Sequence, residues 1–78
     1  MRFAAGITLY NYTTEQIERI RNYSKVFDAV YLFDNSDEGY QTPPIDLKDN
    51  EFVITEGRNM GLPYAFNQII LKSATYRV

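Results

Sequence analysis

The order in which apolar patterns change along this chain constrains its fold more than any other feature. Three short apolar runs, Phe3–Leu9 (FAAGITL), Asp28–Phe33 (DAVYLF) and Glu51–Thr55 (EFVIT), each give way to polar turn residues. Runs of this length, with β-branched and aromatic side chains, read as strands. Between the first two lies Thr13-Thr14-Glu15-Gln16, a capping box: the Thr13 hydroxyl accepts from the Gln16 amide while Gln16 reaches back. The helix it opens, residues 14–24, places Ile17, Ile20 and Ser24 on one side and leaves Glu18, Arg19 and Arg21 for water. After the third run, Leu62, Ala65, Phe66, Ile69, Ile70 and Ala74 recur at helical spacing, with Pro63 tolerated in the first turn.

Strand, helix, strand, loop, strand, helix is the order expected of a parallel sheet with right-handed crossovers and helices on its faces. The fold class is therefore α/β: a three-layer, Rossmann-like parallel-sheet fragment of type β-α-β-loop-β-α. Phe3–Leu9, apolar on both faces, is expected as a central strand. Residues 34–50 form a loop long enough to be functional or mobile, with Ile45 and Leu47 as its anchors. Thr75-Tyr76-Arg77-Val78 carries no stop signal, so residues 1–78 are expected to be a single, truncated N-terminal portion with another strand to follow.

Seventy-eight residues make one domain at most. A domain of this size buries only about 60% of its unfolded surface, and seven Tyr and five Phe supply large apolar areas to its small core. The net charge of −2, without any basic cluster, argues against nucleic acid or an anionic membrane as partner. Cysteine is absent, which excludes disulfides and thiolate metal sites and favours a cytoplasmic location. Histidine, the commonest general base and zinc ligand, is absent too. The apolar run after Met1-Arg2 is too brief for a signal sequence or a membrane span.

Open parallel sheets bind ligands at the carboxyl ends of their strands. Three polar segments fall there: Tyr10-Asn11, Asp34-Asn35-Ser36-Asp37 and Glu56 to Gly61. The Asp34 carboxylate is placed to accept from the imide N–H of uracil or thymine, or from a ribose hydroxyl. The competing reading is an Asx-turn, in which Asp34 or Asn35 bonds the backbone two residues on. Tyr10 is either a ring stacked on a base or an aromatic lid on the core. Gly61 permits close backbone approach and opens a helix whose N-terminus favours an anion. Asn67, beside the apolar stripe, needs a partner; loop carbonyls are the expected one, and it either supports a site or merely ties two loops together. Arg58 is a diphosphate partner or a solvated cation. Asp34 and Asp37 offer too few oxygens for a metal cage. No Ser-His-Asp set, Walker loop or GxGxxG occurs, so no catalytic residue and no metal ligand is assigned.

Taken in order, Tyr10-Asn11 after a strand, VYLFDNSD (Val30 to Asp37) and NMGLPYAFNQII (Asn59 to Ile70) resemble the family-2 inverting glycosyltransferases. The rhamnosyltransferase-like branch, with its "VDNSS" turn and "NxGxAxAxNxGI" segment, is the most similar. The resemblance spans nearly the whole chain. It implies a GT-A-type nucleotide-diphospho-sugar transferase fold that binds a UDP- or dTDP-sugar for transfer to a polysaccharide or glycan acceptor. By it, Tyr10 and Asn11 line the nucleotide pocket and Asp34 contacts base or ribose. Asn59 and Gly61 shape the wall beside ribose and phosphates, supported by Asn35 and Asn67. Phe33, Pro63 and Tyr64 depart from the family pattern, the latter two at the helix start. The family's DxD-type motif, which holds Mg²⁺ or Mn²⁺, and its catalytic base lie beyond these motifs, so the chain alone is expected to be catalytically incomplete. The alternative is a small α/β interaction module that forms a homodimer through an exposed sheet edge and takes no ligand. A receiver-like module is weaker, because Tyr10-Asn11 stands where it would have an acidic pair.

Overall fold

A computed structural model describes residues 2–74, as three parallel strands and two helices. They are β1 (Ala4–Leu9), α1 (Thr14–Ser24), β2 (Ala29–Asp34), β3 (Glu51–Thr55) and α2 (Leu62–Lys72). The strands lie in the order β1-β2-β3, with Ala4 opposite Ala29 and Val30 opposite Glu51. The expected α/β class and three-layer arrangement are present. The strand proposed after Val78 lies outside the described residues.

Side chains of a strand alternate between faces, and β2 uses both. Ala29, Tyr31 and Phe33 pack with Ala65 and Ile69 of α2, while Val30 and Leu32 pack with Ile17 and Ile20 of α1 and with Leu9 and Tyr12. Phe33 and Leu32 are almost wholly buried, and each contributes about 2 kcal/mol by removal from water. Here β2 is the central strand, and β1 is an edge of the described sheet, contrary to the expectation for Phe3–Leu9. The bulk of Val30 to Phe33 fills both faces. Ala5, Gly6, Ile7 and Thr8 of β1 are only half-buried.

The capping box forms as expected: Thr13 Oγ1 accepts from the Gln16 amide at 3.3 Å and Gln16 Oε1 from the Thr13 amide at 2.9 Å. Arg21, by contrast, is not left to water. Its guanidinium bonds the Asp46 carbonyl and lies 3.5 Å from Glu51, whose side chain is 1% exposed. Glu51 also accepts from the Ser24 hydroxyl and, at 2.7 Å, from the Lys48 amide. Burial pushes the Glu51 carboxyl up, but the Lys48 amide, the Ser24 hydroxyl and the charges of Arg21 and Lys48 bring it below its ordinary value.

Residues 35–50 link β2 to β3 without regular structure. Ile45 packs into the cluster on the α1 face, so the connection returns on that side. Leu47, the other expected anchor, stays exposed. Asn50 holds the far end of the loop, donating to the carbonyls of Ser24 and Phe27. On the opposite face, Ala65, Ile69 and Ser73 form the buried stripe of α2. Leu62, Phe66 and Ile70, expected in the same stripe, are about half exposed, because the described sheet offers three strands beneath the helix.

Candidate functional site

At the carboxyl ends of β1 and β2 the backbone leaves regular geometry, and side chains satisfy the freed groups. Asn11 has φ +43°, the left-handed region that Asn tolerates better than most residues. Its amide donates to the hydroxyl of buried Ser36 at 2.9 Å, and its side-chain oxygen accepts from the Asp37 amide at 3.1 Å. Asp37 Oδ2 in turn accepts from Tyr10 Oη at 2.6 Å and Asn11 Nδ2 at 3.3 Å. Buried Asn35 completes the joint, its amide donating to the Leu9 carbonyl and its Oδ1 accepting from the Met60 amide, both at 2.7 Å. The three polar segments picked out in the sequence are therefore tied into one surface.

Asp34 adopts the Asx-turn, its Oδ1 accepting from the Ser36 amide at 3.0 Å. That bond uses one carboxylate oxygen, and Oδ2 receives no donor among the described residues. The Asx-turn therefore leaves the second carboxylate oxygen open. Asp34 lines a depression of about 240 Å³ with Ser36, Asp37, Tyr40, Thr42 and Thr55. A second depression of about 310 Å³ is lined by Tyr10, Asn35, Asn59, Gly61 and Leu62. Of the expected nucleotide-binding residues, Asp34 lines the first hollow and Tyr10, Asn59 and Gly61 the second, while Asn11 lines neither and is bonded to Ser36 and Asp37. Tyr10 is 56% exposed, so its ring is no lid on the core; buried Tyr12 fills that position.

Gly61 caps α2 with φ +84° and ψ 159°, a conformation nearly closed to side-chain-bearing residues. A Cβ there would meet only Pro63 Cδ at 3.9 Å, so backbone angle rather than space requires glycine. Asn59 Oδ1 accepts from the Gly61 amide at 2.9 Å, and no side chain caps the helix N-terminus. Asn67 does not support this wall. It is exposed on α2 and makes no hydrogen bond to the loops among the described residues, because the helix turns it off the buried stripe. The loop-tying role expected of it belongs to Asn35. Sequence reasoning also passed over Ser36 and Asp37 as mutual anchors. Their place in a polar run directly after a buried strand was the available signal.

Electrostatically the site is rich in acceptors. The Asp37 hydrogen bond, aided by burial and the Asp37 charge, raises the Tyr10 phenol, and Glu56 does the same to Tyr64. Tyr12 is raised mainly by burial. A cleft of about 830 Å³ runs beside α1 and residues 44–50, and none of the candidate residues lines it. Among the described residues no group of three or more acids could hold a metal ion.

These features define a small α/β protein with a parallel sheet and a polar, acceptor-rich surface at its strand ends. No protein-family model, curated protein or solved structure matches the chain. No helix among the described residues is long and apolar enough to cross a membrane.

Proposed function

We propose that this chain recognises the nucleotide of a UDP- or dTDP-sugar as part of a glycosyltransferase of the nucleotide-diphospho-sugar type, in the cytoplasm. The observation that carries the reading is the paired hollow at the strand ends: an open Asp34 oxygen in one, and Tyr10, Asn59 and the α2 N-terminus around the other. The first suits a donor such as an imide N–H or a ribose hydroxyl. The second offers an aromatic ring and a helix N-terminus, which favours phosphate oxygens. The role given to this surface is binding. The metal and base needed for transfer to an acceptor belong to other parts of such an enzyme.

Titration of the protein with UDP and with dTDP, followed by amide NMR, tests the reading. Saturable shifts at Asp34, Asn59 and Gly61 are expected, and none in the Glu51 cluster. Their absence at millimolar nucleotide would sink the proposal.

A second reading has its own observation. Both outer strands of the described sheet, β1 and β3, are edges among the described residues, and Leu62, Phe66 and Ile70 form an exposed apolar stripe on α2. A module that self-associates through an edge would look like this. Molar mass in solution separates the two: a dimer indifferent to nucleotide favours the second.

A further inference from the structure

Tyr10 is the largest side chain bordering the second hollow, yet more than half of it is exposed and it belongs to neither core cluster. A ring so placed gains little orientation from core packing, and its hydroxyl supplies a fixed point. That hydroxyl donates to Asp37 Oδ2 at 2.6 Å, in the short range of a charge-assisted bond. Asn11, at φ +43°, leans on the same residue twice, through the Asp37 amide and through Oδ2. Among the described residues no cation pairs with Asp37, so its charge is spent on neutral donors from the β1 turn.

We propose that Asp37 is a positioning residue for ligand recognition, holding the Tyr10 ring and the Asn11 turn in the arrangement that receives the ligand. The inference rests on the nucleotide reading and goes beyond it, because Asp37 acts through Tyr10 rather than on the nucleotide. Fixing an exposed ring in advance removes the ordering cost that binding would otherwise carry. The hydrogen bond that holds the ring also raises its phenol, which gives the contact a signature independent of any ligand.

The test is a double-mutant cycle on UDP affinity with wild type, Tyr10→Phe, Asp37→Ala and the double variant, plus Asp37→Asn. Asp37→Ala should weaken UDP binding about tenfold, and Tyr10→Phe by a similar factor. The double variant should be no more than about twofold weaker than Asp37→Ala, since that change already removes the Tyr10 bond. Asp37→Asn keeps an acceptor oxygen and should recover part of the loss. In Asp37→Ala the Tyr10 phenol, followed by its ¹³Cζ shift, should titrate at lower pH than in wild type. Additive losses, or wild-type affinity in Asp37→Ala alongside a lowered melting temperature, would overturn the proposal, the latter marking a purely structural role. Should wild type take neither UDP nor dTDP, the nucleotide reading falls and the ligand role of Asp37 with it. The phenol titration would then show that the bond itself persists.

Discussion

Two polar clusters sit at opposite ends of the same sheet, and they are built differently. At the amino end, Glu51 is enclosed: Arg21, Ser24 and the Lys48 amide surround it, and its side chain is 1% exposed. At the carboxyl end, Asn35, Ser36 and Asp37 tie three segments together while Asp34 Oδ2 and the α2 N-terminus stay open. A closed cluster with every member satisfied holds structure. An open one keeps hydrogen-bonding capacity for something outside the chain. The contrast separates the end that stabilises this fold from the end that has room to recognise.

Disturbing the closed end should cost most. Glu51→Ala strips Arg21, Ser24 and the Lys48 amide of their acceptor and should destabilise by about 3 kcal/mol, read from the urea midpoint. The same cluster sets an acid limit. Because the folded state holds Glu51 below its ordinary value, the ionised form favours folding. That contribution is complete at neutral pH, and it is lost as pH falls from about 4.3 through the folded value. A Glu51→Gln protein should show a shallower loss over this window. An identical pH profile would show that the cluster does not act as described.

The open end should respond less in stability and more in binding. Gly61→Ala forces a side chain into a glycine conformation and should cost about 2 kcal/mol, with open space around the new methyl. Asn35→Ala leaves the Met60 amide without its acceptor and should cost about 1.5 kcal/mol, with the largest amide shifts at residues 59–61. Asp34→Asn is the sharpest probe, since its side-chain oxygen can still accept from the Ser36 amide. Its stability should stay within about 0.5 kcal/mol of wild type while UDP binding weakens. If binding is unchanged, the two ends no longer differ in the way claimed.

Local signals carried most of the fold. Thr13 and Gln16 mark the start of α1 because a capping box is complete within four residues, and α1 and β3 have the boundaries that patterning predicts. β2 is displaced by one residue, Asp34 pairing with Leu9 and Thr55 at the end of the ladder. What patterning missed depends on distant partners. Arg21 looks solvated on its own helix, and only the return of residues 46–51 beside it gives it a carboxylate. Asn35 and Asn67 are equally plausible ties by composition. Burial decides between them, and burial follows from how the turn after β2 meets the turn before α2. Strand order escaped for the same reason: β1 and β2 are both apolar runs, and only the pairing shows which is flanked on both sides.

That pairing also governs how the chain reaches its folded state. Every contact in the sheet joins distant residues, Ala4 to Ala29 across 25 positions and Val30 to Glu51 across 21. Neither strand pair among the described residues is a hairpin, so neither can form by local zipping. Loop-closure entropy must be met before either ladder begins to compensate for it. α1, with its self-contained cap, is the element able to form early, and it lies between β1 and β2 in the chain. The first ladder can then close across a preformed helix, while the second must close across the unstructured residues 35–50. Docking of β3 becomes the slow step, and changes in that connection should alter the folding rate more than changes in α1.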